Sequence, residues 1–350
     1  MNHAATFHIP PKLQSGDRVA IVSPSWAGAG VFPDVHDIGV NVLRDEFDLV
    51  PVEYPTTRQV GASPESRARD LNAAFADPEI RAVMAVIGGS DQITVLSHLD
   101  AHVISSNPKA YFGYSDNTNI LNYLWNLGVV SYHGGSTLVH LARPGGPHRA
   151  FIDSLRHALF DEGVVEVTPL EAFTDLQPSW EDPSTLASPL ATTPEAGWHW
   201  HNEGRVVSGR TWGGNLEILH WNLAANRWIL PNEAYAGSVL MLETSEEMPS
   251  ADEVFRMLRN MGERGLLAQF PAVVFAKAKA WSPSAPLGEA QRDAFRLDQE
   301  AAVLRALEIY NPTALFVYGP DFGHTDPQYV LPYGGAMTVD GLTRRISVQY

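Results

Sequence analysis

The chain has 350 residues, of which 45% are hydrophobic and 18% charged, the usual balance of a soluble globular protein. Forty acidic residues against 24 basic ones give a net charge of -16. No basic stretch is available to neutralise phosphates, which argues against a nucleic-acid or anionic-membrane partner. The chain has no cysteine, so disulfides, thiolate metal sites and a cysteine nucleophile are excluded.

The opening stretch MNHAATFHIPPKLQSGDRVAIVSPS has no apolar segment behind a basic start, so no signal peptide is expected. No run of about 18 apolar residues could span a bilayer. A cytoplasmic location is the expectation. The length suggests two domains.

In chain order, RVAIVS at Arg18–Ser23 reads as a buried strand, Asp34–Glu46 as a helix and Leu49–Glu53 as the next strand. Ser63–Asp77 opens with SPES, a helix start with proline in the first turn. Ala82–Ile87 is a continuous apolar run that ends in Gly88-Gly89. Gln92–Leu99 reads as a helix, Lys109–Tyr114 as a strand, and Asn117–Asn126 and Pro147–Phe160 as helices. Strands alternating with helices imply βαβ units and a parallel sheet.

From about Pro169 to Gly197 the periodicity stops. The segment is rich in Pro, Ser and Thr, yet it carries Phe173 and Trp180, with Trp198 and Trp200 just beyond. Plain linkers are poor in aromatics. It reads either as a surface loop packed on a domain or as a loop whose aromatics line a pocket. Beyond it, Arg205–Arg210 is a strand and Asn215 opens a helix. Ser238–Glu243 is a strand, and Ser250–Gly262 a helix with a capping box. Pro271–Ala276, Gln291–Ile309 and Ala314–Tyr318 are strand, helix and strand. The division expected is residues 1–165, a loop at 166–204, and 205–350.

The segment KAYFGYSDNTNILNYL places Ser115 between an apolar strand and a helix. A serine there sits at the strand tip, with the amide of Asp116 at a helix start facing any developing oxyanion. Gly113 fills the first glycine position of a G-x-S-x-G elbow, but Asn117 fills the last. Ser115 or Asp116 could equally be a simple helix cap. A serine nucleophile needs a base and the base an orienter. His324 in YGPDFGHTDP follows the strand ALFVY, and Glu243 closes the strand SVLMLE, so all three groups lie at strand ends, where ligands bind in α/β sheets. Gly88-Gly89 would let backbone amides approach a ligand. Gly28 and Gly30 lack a third glycine, and Pro33 stands where a helix would open, so no dinucleotide site is expected. His199 and His201 alternate on a short segment but read as structural.

Taken together, GG near position 88, GYSDNT, WGGNLEIL, LETSEE, and GHTDP with PYGGAMTVDG resemble the serine peptidase family of LD-carboxypeptidases and microcin C self-immunity peptidases. The likeness runs through nearly the whole chain. It implies a Rossmann-like N-terminal α/β domain, similar to class I glutamine amidotransferases, and a smaller swivelling C-terminal α/β domain. It implies Ser115 as nucleophile, Glu243 as acidic member and His324 as base. The backbone of Gly89 and Asp116 would form the oxyanion hole, with Gly88 and Asn215 beside the substrate. No cofactor and no metal are implied, and a homodimer is. LETSEE looks more like the immunity branch, and Phe173 and Trp180 resemble a loop whose aromatics stack on a nucleobase. The function implied is hydrolysis of an amide in an aminoacyl-nucleotide-like substrate. A murein tetrapeptide LD-carboxypeptidase and a non-catalytic binder of a nucleotide-like toxin are the alternatives.

Overall fold

A computed structural model describes residues 7–350; the first residues of the stretch read above for a leader, 1–6, lie outside it. The strands in chain order are β1 (Arg18–Val22), β2 (Val50–Glu53), β3 (Ile80–Ala85), β4 (Ala110–Gly113), β5 (Ser131–His133), β6 (Val164–Val167), β7 (Ala172–Phe173), β8 (Thr193–Pro194), β9 (His199–His201), β10 (Val206–Asn215), β11 (Val239–Glu243), β12 (Ala272–Phe275), β13 (Leu315–Tyr318), β14 (Leu331–Tyr333), β15 (Ala336–Asp340) and β16 (Arg345–Gln349).

The first sheet has the order β14-β5-β4-β3-β1-β2. Its five N-terminal strands are parallel. β14 returns from the far end of the chain and pairs antiparallel with β5. The continuous apolar runs read as strands are buried on both faces, as parallel strands must be when helices cover the sheet. The order reverses around β1, and the crevice outside the carboxyl ends at such a reversal is where open α/β sheets bind ligands. Ser25, Gly88 and Ser115 follow β1, β3 and β4 there.

The second sheet has the order β6-β16-β15-β10-β11-β12-β13-β9. Its centre, β10 to β13, is parallel, and the flanking pairs are antiparallel. The fold is therefore the α/β architecture expected, a parallel-sheet N-terminal domain with a second α/β domain.

Helix ends follow the local sequence. Ser63 caps Pro64–Ala76 by accepting from the Ser66 amide, and Ser250 with Glu253 forms the capping box of Ala251–Glu263. One expected helix is absent: Gln92–Leu99 folds as two short 3₁₀ turns. The buried Gln92 side chain explains the difference. Its amide donates to Asn117 Oδ1 at 2.9 Å and its carbonyl accepts from Ile120 N at 3.2 Å. A side chain committed to the start of a later helix overrides a weak local preference.

That later helix, Thr118–Asn126, begins three residues after Ser115, and it ties the sheets together. Trp212 of β10 is fully buried and donates its indole N–H to Asn122 Oδ1 at 2.9 Å. Its ring stacks on Phe270 and packs against Tyr235. The Trp125 indole donates to Thr211 O at 3.2 Å, Asn215 N donates to Thr118 Oγ1 at 2.9 Å, and Asn222 Nδ2 to Asn119 Oδ1 at 3.0 Å. The helix carrying the strand-tip serine is thus held by β10 and the helix after it. Trp212→Ala removes a large core side chain and this bond, and the expected loss is about 3–5 kcal/mol. Equilibrium urea unfolding would measure it.

Candidate active site

Ser115 opens a 3₁₀ turn, Ser115–Asn117, that follows β4 and leads into the helix Thr118–Asn126. Its φ is 62°. A serine in the left-handed region is uncommon and costs on the order of 1–3 kcal/mol, a form of strain that gathers at functional sites. The turn brings Ser115 against Gly88: a Cβ at position 88 would stand 2.9 Å from Ser115 Cβ, 3.0 Å from its Oγ and 3.3 Å from Asp116 N. Only a glycine leaves that space open to a ligand. Gly89 is exposed next to it, and a Cβ there would run into Ser25 Oγ.

The Asp116 side chain fixes its own backbone. It accepts from Ser25 Oγ, from Gln92 N at 3.1 Å and from Asn119 Nδ2 at 2.9 Å. Burial raises its carboxyl above the usual range, against those bonds.

Glu243 ends β11 and is fully buried. His324 lies in the loop after β13, and its Nδ1 is 2.5 Å from Glu243 Oε2. A bulky neighbour shapes the imidazole's position: the Tyr114 ring lies 4.9 Å from it. The loop is clamped as well. The carbonyl of Phe322 accepts from His133 Nε2 at 3.1 Å and from Gln328 Nε2 at 3.2 Å, and Gln328 Nε2 also donates to Gly323 O at 2.8 Å. Arg143 pairs with Asp326 at 2.5 Å.

Burial by itself would lower the His324 pKa, but the carboxylates of Glu243, Glu246 and Glu217 overcome it and raise it to about 9. The same imidazole holds Glu243 below the usual carboxylate range in spite of burial. Burial pushes His133 down to about 4, against the pull of Glu243, and His140 down to about 3, so they stay neutral while His324 carries the charge. Because folding raises His324 from 6.5 to about 9, its charged pair stabilises the fold fully below 6.5, and that contribution disappears as pH rises through 9. His324 Nε2 faces Glu246 Oε2 at 3.2 Å; among the described residues no hydrogen bond joins it to Ser115.

A cavity of about 510 Å³ joins these groups, with Ser115, Gly88, Gly89 and His324 on its wall. Trp180 lines it too, packing edge-on against Phe32, which in turn meets Trp26. Phe173 does not line it. It is buried, with Lys277 Nζ 4.2 Å and Arg296 4.8 Å from its ring centre. The loop that carries both aromatics is riveted to the helix Glu289–Tyr310 and to the segment after β12, since Asp175 pairs with Arg296 and Glu195 with Lys277. Asn215 is buried opposite Glu243 in the β10–β11 register and caps the following helix through Ile218 N at 3.0 Å. His199 and His201 both bond Glu300, at 2.7 and 2.8 Å.

Several cavity residues had no role in the sequence reading. Tyr114 and Glu246 sit inside motifs quoted above, next to Ser115 and three residues after Glu243, and could have been suspected. Lys279 and Arg143 lie in no motif and are brought in by the fold alone.

Residues 19–134 match the LD-carboxypeptidase N-terminal domain of the peptidase S66 family, and residues 208–339 match its C-terminal domain. The chain belongs to this family. Among its S66 relatives, a putative carboxypeptidase of Vibrio cholerae is 25% identical over 94% of this chain and 93% of that one. The microcin C7 self-immunity protein MccF of Escherichia coli is 23% identical over 96% and 94%, and a probable murein peptide carboxypeptidase of Bacillus subtilis is 29% identical over 93% and 89%. The fold matches that of MccF in complex with glutamyl sulfamoyl guanosine, with a TM-score of 0.82 at 21% identity over 97% of this chain and 98% of that one. An MccF-like protein from Streptococcus pneumoniae in complex with AMP gives 0.84 at 23% over 96% and 99%. The chain is thus an S66 peptidase whose relatives include both carboxypeptidases and an immunity protein.

The strain at position 115 can be tested without a substrate. Ser115→Gly relieves the left-handed backbone, whereas Ser115→Ala keeps it. The glycine variant is expected to be the more stable by about 1 kcal/mol, read as a higher midpoint in denaturant titration.

Proposed function

We propose that this S66 peptidase hydrolyses the amide of an aminoacyl-nucleotide-like substrate of the microcin C type, with Ser115, His324 and Glu243 as its triad. The observation that carries the reading is the 2.5 Å bond between a buried Glu243 and His324 Nδ1, on the same cavity wall as a strained strand-tip serine. A carboxylate on Nδ1 sets the tautomer and leaves Nε2 for the serine.

Ser115 Oγ attacks the carbonyl carbon while its proton passes to His324 Nε2. Glu243 steadies the imidazolium. The amides of Gly89 and Asp116 receive the oxyanion, and one such donor lowers the barrier by about 3 kcal/mol. The proton then goes to the leaving nitrogen, the C–N bond breaks, and water activated by the same imidazole releases the acid and restores Ser115.

The aromatic wall favours the nucleotide half. Trp180, with Trp26 and Phe32 behind it, offers flat faces to a base, an interaction worth about 1–3 kcal/mol. Phe173, enclosed by Lys277 and Arg296, acts in this reading as a rivet for the loop and not as a base platform. The second reading, release of D-alanine from a murein tetrapeptide, has the murein relative from Bacillus subtilis in its favour. It uses the same three residues and leaves Trp180 as packing.

A paired assay separates the two. The protein and its Ser115→Ala variant each receive aspartyl sulfamoyl-adenosine and a murein tetrapeptide, with products read by mass spectrometry. The expected result is cleavage of the nucleoside compound, reduced at least about 10⁴-fold by the substitution. Loss of D-alanine alone would move the protein to the murein reading. Undiminished cleavage by Ser115→Ala would overturn the triad.

A further inference from the structure

Glu246 stands where the proposed mechanism needs Ser115. Its carboxylate is 3.2 Å from His324 Nε2, the nitrogen that has to accept the serine proton. The side chain is 51% exposed on the cavity wall. A half-exposed ion pair adds little stability, about 0–1 kcal/mol, so packing gives no reason for it to be there.

The backbone that presents Glu246 is built for the purpose. Glu217 Oε1, buried, accepts from Ser245 N at 2.9 Å and from Ser245 Oγ at 2.7 Å, and Ser245 Oγ accepts from Glu247 N at 3.2 Å. Met248 closes the turn with φ 54° and donates its N–H to Ser245 O at 3.2 Å. The carboxylate therefore projects from a pinned turn. Nearby cations are already engaged. Lys279 Nζ donates to the carbonyls of Asp175 at 2.6 Å and of His324 at 3.3 Å, and Arg143 holds Asp326. Among the described residues, His324 is the only cationic side chain paired with Glu246.

A substrate changes this arrangement in one way that the geometry makes specific. The nitrogen on the carbon next to a carbonyl lies about 2.5 Å from the carbonyl carbon. Reacting atoms meet at about 3–3.5 Å, and Ser115 Oγ has to lie within hydrogen-bond reach of Nε2. With the 3.2 Å from Nε2 to Glu246, these steps keep an α-ammonium on the acyl residue within about 12 Å of the Glu246 carboxylate in every productive pose, in the same cavity. Cations further along a side chain are not brought there by the chemistry.

We infer that Glu246 is a specificity-determining residue that binds the α-ammonium of the acyl residue, so that the substrate is an aminoacyl compound with a free amino group beside the scissile carbonyl. The inference rests on the proposed function and narrows its acyl half. Two consequences follow for one carboxylate. The ammonium is held by a charge-assisted bond, and Glu246 is drawn off Nε2, which frees the base for Ser115 only when the right substrate is present. A peptidyl acyl group, whose α-nitrogen is a neutral amide, gains neither.

The test uses alanyl sulfamoyl-adenosine, which adds no side-chain charge, and its N-acetyl derivative. Both are titrated calorimetrically into the Ser115→Ala protein and into the same protein carrying Glu246→Gln, and hydrolysis is followed separately with the native protein. The free amine is expected to bind the Ser115→Ala protein at least about tenfold more tightly than the N-acetyl compound. With Glu246→Gln the preference falls to within about threefold, and Glu246→Asp restores part of it. Equal binding of the two compounds, or a preference unchanged by Glu246→Gln, overturns the inference even if the native protein hydrolyses both. Binding with the expected preference but no hydrolysis supports the subsite and removes the proposed reaction. Failure of both compounds to bind overturns the inference and the nucleotide reading together.

Discussion

The helix Thr118–Asn126 belongs to the first sheet by sequence and to the second by its bonds, and the site depends on that double membership. Ser115 stands at its start, on the tip of β4. Glu243 and His324 come from the ends of β11 and β13, more than a hundred residues later. Nothing in either sheet alone brings these groups to one cavity. The bond from Trp212 to Asn122, the bond from Asn215 to Thr118 and the stacking of Trp212 on Phe270 do so. The crossing strand β14 adds a second tether, since it pairs with β5 while the Gln328 side chain holds both Gly135, just after β5, and the His324 loop. The precision needed for proton transfer, a fraction of an ångström, thus comes from buried polar bonds between domains and not from the loops that carry the side chains.

Electrostatics gives the site its second character. Three carboxylates surround a single imidazole, and they do different things. Glu243 orients it, Glu217 fixes the turn beyond β11, and Glu246 meets the nitrogen facing the cavity. Burial pushes Glu217 up to about 7, helped by its neighbour Glu243, so the cluster need not carry three full charges. The free protein accordingly rests with His324 protonated. A base that is released by its substrate and not permanently ready would spare other amides and esters from an open nucleophile.

Much of this was legible in the sequence. The parallel strands announce themselves as apolar runs too short for helices, and the glycine pair at 88 and the serine at 115 each follow one. The order of GYSDNT, LETSEE and GHTDP carried the family. What sequence could not supply was convergence. Gln92 reads as part of a helix because its anchor, Asn117, is invisible to local pattern. Phe173 and Trp180 lie seven residues apart on one loop, yet Asp175, held by Arg296, turns one into the core and leaves the other on the cavity. Glu246 was in plain sight within LETSEE, but its meaning depends on a histidine 78 residues away in the chain.

In the proposed mechanism Ser115 is activated by His324, whose charge is set by the carboxylates around it. The most direct measurement is the rate at which a neutral fluorophosphonate labels the protein as a function of pH, with the modified residue located by peptide mass mapping. An imidazole accepts the serine proton only when neutral, and folding raises His324 to about 9. Labelling should therefore fall on Ser115 alone and accelerate as pH rises through 9, with the rise lost in His324→Ala. Labelling elsewhere, or a rate on Ser115 that ignores pH and survives His324→Ala, would contradict it.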